Sequence, residues 1–169
     1  MTPDFLRASI GGRKEKMEAS LGILLPENWP DILSILKLRL QQLEADPELQ
    51  PWLLRAMRLR STNTMIGHIG FHTKPGASYL RDWCVEGVEF GCTVFSGYRR
   101  QGFAREASLG LMQWARKAHG IADFIVTIGR ENEASRALFS RLGFTGVGSH
   151  VDEVDGIEDI FIRRFRVAT

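Results

Sequence analysis

The chain has 169 residues and a net charge of +2, with 44% hydrophobic and 25% charged residues, the balance of one globular domain able to bury a core. So small a charge gives no argument for bulk nucleic-acid binding, and any anion site must be local. No apolar run reaches the roughly 18 residues of a membrane span, the first residues read as neither a signal nor a transit sequence, and Cys84 and Cys92, eight residues apart without a CxxC pattern, argue against a metal or disulfide role. The expectation is a cytoplasmic protein in a reducing compartment.

Residues 1–50 read as helical. "PDFLRAS" starts one short helix and "GGRKEKMEASLGILLP" contains a second. A third lies in "WPDILSILKLRLQQLEADPEL", with Asp31 as cap after Pro30 and Ile32, Ile35, Leu36, Leu40 and Leu43 at helical spacing. Pro47 and Pro51 break the chain. "WLLRAMRLR" and "TMIGHIGFHT" then read as two strands joined at the turn cluster "STN". "KPGASYLRDWCVEG" is a loop, and "VEFGCTVF", residues 88–95, is a further strand. After the turn "SGYRRQGFA", residues 96–104, comes the helix "QGFAREASLGLMQWARKAHG". Ala104, Ala107, Leu111, Ala115 and Ala118 mark one face, and Gly120 stands at the left-handed end. "ADFIVTIG" is a short strand of the buried kind. "NEASRALFSRLGF" is a helix capped by Asn132 and ended by Gly143. "FTGVGSH" and "DIFIRRFRV" are the last strands, joined by the acidic link "VDEVDGIE". This order predicts a single α/β domain over residues 1–169: a helical segment 1–50, then a core 52–166 with one mixed sheet and helices packed on it. The crossover predicts that 88–95 and 123–129 lie side by side and parallel.

The turn "SGYRRQGFA" is basic and small at once, a combination that suits a phosphate. A helix N-terminus offers unpaired N–H groups and a partial positive charge. Gly102 opens the helix and lets the backbone approach a bulky anion, Ala104 keeps the first turn narrow, and Arg99 and Arg100 add charge and forked donors. On these residues alone a solvated turn with a good helix start fits as well. The chain contains neither GxxxxGK[ST] nor GxGxxG, so an NTPase loop or a dinucleotide fingerprint is not supported.

With its surroundings the turn says more. "VEFGCTVFSGYRRQGFAREASLGLMQWARKAHG" followed by "NEASRALFSRLGF" resembles the GCN5-related N-acetyltransferase (GNAT) family, most of all its ribosomal-protein-alanine acetyltransferase type. Arg99, Gly102 and Ala104 fill the family's Q/R-x-x-G-x-G/A signature. Asn132, Ser135, Gly143 and Phe144 match its N-x-x-[AS] helix start and closing "GF". The resemblance covers roughly residues 52–166. It implies a mixed, mostly antiparallel sheet with one parallel splayed pair, at about 88–95 and 123–129, and acetyl-CoA as co-substrate with no metal. The amides of Gln101, Gly102, Phe103 and Ala104 would hold the pyrophosphate beside Arg99 and Arg100. The main chains of Val94 and Phe95 would pair with the pantetheine arm, which fills the splay. An N–H near Val94 would be the oxyanion donor, and Asn132 and Phe139 would also meet the arm.

Amine acetylation needs a neutral amine, a stabilised oxyanion and a protonated leaving thiolate. The resemblance makes Glu89 the candidate base; an ordinary paired strand carboxylate is the alternative. At the place of the family's frequent tyrosine acid stands Phe139, which cannot give a proton. Ser135, water or the attacking ammonium would serve instead. A second departure lies at the start: the family begins with a strand, none is legible in residues 1–50, and the sheet would lack it or borrow pairing from another chain. An uncovered edge invites such pairing, and a homodimer follows as one arrangement.

His68 and His72 lie four apart on a strand, about 13 Å, too far to share one metal; one of them could line an acceptor cleft. Asp152, Glu153, Asp155, Glu158 and Asp159 form a solvated turn or a rim that attracts a cationic amine. Trp52, Trp83 and Trp114 read as packing residues, Trp83 being the one placed to touch a substrate. The expected function is an acetyl-CoA-dependent N-acetyltransferase in which a primary amine, of a small molecule or of a peptide or protein N-terminus, attacks the thioester directly. The alternatives are a catalytically weak CoA-binding sensor or scaffold and, less well supported, a nucleotide-phosphate binder. Neither nucleic acid nor membrane is expected as a partner, and no residue names the acceptor.

Overall fold

In the computed structural model, which describes residues 1–27, 32–152 and 156–165, the chain opens with three helices: α1 (Pro3–Ile10), α2 (Lys14–Leu21) and α3 (Leu33–Ala45). The expected cap Asp31 lies outside the described residues, as do Glu153 and Asp155. Thr2 caps α1, its Oγ1 accepting the Phe5 N–H at 3.2 Å with Pro3 in the first turn. Gly22 ends α2 in the left-handed region at φ 65°. Six strands follow, β1 (Arg55–Leu59), β2 (Thr64–Phe71), β3 (Val88–Val94), β4 (Asp123–Gly129), β5 (Thr145–Asp152) and β6 (Gly156–Arg164), with α4 (Phe103–His119) between β3 and β4 and α5 (Glu133–Arg141) between β4 and β5. They form one sheet in the order β1-β2-β3-β4-β6-β5. Its one parallel ladder joins β3 to β4, with Val88 opposite Phe124 and Glu89 opposite Ile125. No described helix is long and apolar enough to cross a membrane.

The backbone divides into two compact units, Met1–Gly70 with Cys92–Ala104, and Phe71–Gly91 with Arg105 onward. The core of the first gathers Phe5 and Leu6 of α1, Met17 of α2, Leu36 and Leu43 of α3, Met65 of β2 and Phe95. Only part of the α3 stripe is buried: Ile35 is exposed along with Leu33 and Leu38, because α3 is apolar on more than one side and packs one of them against α1. Among the described residues no strand precedes β1. Leu24 alone makes an isolated parallel bridge with Thr64; its N–H donates to Asn63 O and its carbonyl accepts from the Met65 N–H, both at 2.8 Å.

The second unit is built on aromatic rings. Phe71 meets Phe90, Trp114 and Phe124 at 6.0–6.5 Å, and Phe90, Phe139 and Phe144 form a triangle of edge contacts at 5.2–6.2 Å. The buried face of α4 in this unit is Ser108, Leu111, Met112 and Ala115, at helical spacing, whereas Ala118 is exposed in the last turn, against the sequence expectation. The acidic link is mostly ladder. Backbone pairing of β5 with β6 carries Asp152 to Gly156 and sets Glu158 opposite His150 and Asp159 opposite Ser149. Asp159 accepts from Arg136 at 2.6 Å and Arg130 at 3.3 Å. The hydrogen bond from Arg136 holds its carboxyl below the usual range despite an opposing desolvation, and Arg130 adds to it.

Trp83 packs on β5. A Cβ on Gly148 would stand 2.3 Å from the indole Cη2 and 2.5 Å from Cζ3, so only a bare Cα lets the ring lie there. Gly148→Val is expected to cost about 1–3 kcal/mol by overpacking and to lower the midpoint of thermal unfolding by roughly 3–10 °C. An unchanged midpoint in a calorimetric scan would show that the indole is not held against the strand.

Candidate active site

The turn between β3 and α4 is made by two close backbone approaches and two left-handed residues. Gly67 of β2 lies against β3, where a Cβ would fall 2.3 Å from the Thr93 carbonyl. The Phe95 N–H donates to Ile66 O at 2.9 Å, and the Phe95 carbonyl accepts the Tyr98 N–H at 2.9 Å. Ser96–Tyr98 form one 3-10 turn, with Tyr98 half-buried against the apolar core of the first unit. Arg99 is extended, and its Nε donates to Val94 O at 3.0 Å, bracing the turn on the strand that precedes it. Arg100 at φ 62° and Gly102 at φ 86° then turn the chain into α4. A left-handed arginine is uncommon and strained. Arg99, Arg100, Gln101 and Gly102 are all exposed. The first-turn N–H groups of α4, including those of Phe103 and Ala104, have no i−4 carbonyl to bind and carry the positive end of the helix dipole. An anion can reach them.

Glu89 lies on β3 and is 5% exposed. Its oxygens are divided: Thr127 Oγ1 on β4 donates to Oε1 at 2.7 Å, and His72 Nδ1 lies 3.3 Å from Oε2. Burial by itself would push the carboxyl up; hydrogen bonds from His72, Thr127 and Tyr79 with the charge of His72 outweigh it and hold the pKa below its usual value. Glu89 therefore stays ionised and is a weak base. The paired carboxylate considered from the sequence has a histidine as its partner.

At the start of α5, Asn132 Oδ1 accepts the Ser135 N–H at 3.1 Å, an N-cap. Asn132 is exposed and Ser135 half-buried. Phe139, one face further along, is 4% exposed with its ring in the Phe90–Phe144 triangle. His68 is 5% exposed, its ring edge-on to Phe95 at 6.4 Å, and its Nε2 has no hydrogen-bond partner among the described residues. Burial first, and the charge of Arg39 second, lower its pKa from 6.5 to about 4. His68 is thus a neutral core residue, while His72, just past the end of β2, has a side chain 38% exposed.

Gly67, Tyr79 and Thr127 are the residues that sequence reasoning missed. Gly67 had a readable signal, a glycine inside a strand, which marks a close backbone approach. Tyr79 and Thr127 carry no spacing relation to Glu89 and had none. Among the described residues no group of three potential donors could hold a metal ion.

A family model described as "Acetyltransferase (GNAT) domain" matches residues 8–145. Solved structures share the fold. One is a ribosomal-protein-alanine N-acetyltransferase from Brucella melitensis, 20% identical, covering 98% of this chain and 97% of its own, with a TM-score of 0.63. The ribosomal-protein-S5-alanine acetyltransferase from Vibrio fischeri is 17% identical over 76% of this chain and 69% of its own, with a TM-score of 0.60. The microcin C7 self-immunity acetyltransferase MccE, in a complex with acetyl-CoA and AMP, is 14% identical over 97% of this chain and 89% of its own, with a TM-score of 0.61. No curated protein sequence matches.

The burial of His68 has a consequence for stability. An unfolded chain protonates this imidazole near its ordinary value and the folded chain only near 4, so unfolding takes up a proton between the two and acid destabilises the fold. Stability is expected to fall by about 2 kcal/mol between pH 7 and pH 5 from this group alone. In urea unfolding at the two pH values, His68→Leu should lose most of that difference. Equal pH dependence in parent and variant would refute the assignment.

Proposed function

The chain belongs to the GNAT acetyltransferase family, and on that premise we propose that it transfers the acetyl group of acetyl-CoA directly to a primary amine. The observation that carries this reading is the exposed turn in which Arg100 and Gly102, both left-handed, present the first amides of α4 beside two arginines. Such a cradle of N–H groups suits a pyrophosphate. A side chain at Gly102 would stand where a phosphate must approach.

Gln101, Gly102, Phe103 and Ala104 hold the pyrophosphate through their main chains in this reading. Arg100 supplies charge, and Arg99 holds the turn by its bond to Val94 O. Acetyl-CoA supplies an acetyl thioester. The Val94 amide would steady the negative charge that develops on the carbonyl oxygen. Phe95 contributes position rather than a main-chain donor, since its N–H is already given to Ile66. Asn132 and Phe139 of α5 would also meet the arm in this reading. Ser135, water or the attacking ammonium would then return a proton to the leaving thiolate. Relatives of the same fold act on ribosomal-protein alanines by their names, and a peptide N-terminus is accordingly one acceptor in the proposal, beside small amines. A cytoplasmic site of action is part of the reading.

The test is calorimetric titration with acetyl-CoA of the parent, Gly102→Asn and Gly102→Asp. Asn and Asp both tolerate the left-handed region and differ by one charge. Weaker binding by Gly102→Asn than by the parent, and affinity at least tenfold weaker again in Gly102→Asp, is the expected result. Equal affinity in the two variants would remove the pyrophosphate from this turn. Binding without thiol release over a panel of amines would favour the sensor reading.

A further inference from the structure

Glu89 is sealed, but the group it holds is not. The His72 main-chain N–H donates to the Glu89 carbonyl at 2.9 Å, while Nδ1 of the same residue lies 3.3 Å from the carboxylate. Two contacts thus fix both the backbone and the ring of His72 on β3. The imidazole passes over Gly91, two residues beyond Glu89, where a Cβ would stand 3.3 Å from Nε2. With Nδ1–H given to the carboxylate, the lone pair of a neutral imidazole is on Nε2. Among the described residues, Tyr79 from the preceding loop also bonds the Glu89 carboxylate, and Thr127 of β4 donates to its other oxygen.

We propose that His72, oriented by Glu89, accepts the proton that the acceptor ammonium must lose before it can attack. The proposal rests on the acetyltransferase reading above. Neutral His72 takes one proton at Nε2, directly or across one water, and the ammonium becomes an amine. The nitrogen lone pair forms the C–N bond to the acetyl carbon, and the C–S bond breaks with its electrons on sulfur. Of the two protons lost by the nitrogen, one passes from His72 to solvent and the other ends on the thiolate. Glu89 is a positioning residue: it selects the tautomer, aims the ring and stabilises the imidazolium without itself taking the proton. This explains why a buried and tightly bonded carboxylate coexists with a half-exposed imidazole on the same strand edge.

The test pairs kinetics with spectroscopy on the full chain. The pH profile of kcat/KM for one accepted amine is measured for the parent, His72→Gln and Glu89→Gln, together with an NMR titration of the His72 imidazole. The parent's acid limb should coincide with the midpoint of the His72 titration. Glu89→Gln keeps a hydrogen-bonding group but removes the charge, and both midpoints should move together. His72→Gln should lower kcat/KM by about 10²–10⁴-fold and abolish the limb, with acetyl-CoA affinity within about twofold of the parent. A limb retained in His72→Gln, or a His72 titration that Glu89→Gln leaves unmoved, overturns the relay alone. A parent that binds acetyl-CoA but acetylates no amine overturns the relay together with the transferase reading.

Discussion

A carboxylate buried between strands sets the terms for half of this molecule. β3 is covered on both faces over Val88–Phe90, so Phe90 enters an aromatic cluster while Glu89, on the opposite face, enters the interior as an ion. An ion there is tolerated only with partners in place. Three different segments supply them: the residue after β2, the loop turn at Ser78–Leu80, and β4. None of those segments can shift without stranding the charge. The polar cluster is therefore positioned as firmly as the aromatic one beneath it, and chemistry placed on it inherits that rigidity.

The parts legible in the sequence were those set by near neighbours. Local residue patterns located α1 to α5, the turn chemistry of "STN" located the hairpin, and Gly120 stands in the left-handed region that the reading required. Arg100 was read as a charge, yet its backbone is equally part of the turn, and nothing in an arginine announces a positive φ. The apolar stripe of α3 was legible but not which portion is covered, because coverage depends on the path of α1. The link after β5 was misread for a related reason. Its residues look like loop, but Val151, Asp152, Gly156, Ile157 and Glu158 stand in the ladder of β5 with β6.

The two histidines show the limit most clearly. Alternation along a strand puts positions 68 and 72 on one face. β2 ends at Phe71, however, and a side chain beyond a strand's end no longer obeys the pleat. One ring is locked in the core and the other keeps an edge toward solvent. Phe139 carries a related lesson. The resemblance sets Phe139 against the arm, and in the structure its ring meets Phe90 and Phe144. A tyrosine there would have needed a partner for its hydroxyl, whereas phenylalanine needs none.

Asn63 links the helical start of the chain to the first hairpin. It is left-handed at φ 55°, its side chain donates to the Gly22 carbonyl, and its own carbonyl accepts from Leu24. The turn that presents it closes over a handful of residues, whereas the Leu24–Thr64 bridge closes over some forty. Closure entropy grows with the logarithm of that span, and short hairpins form within microseconds. The arithmetic favours an order of events in which β1 and β2 meet first and the ready-made Asn63 then captures the end of α2, so that the helical segment is the last of this unit to come to rest.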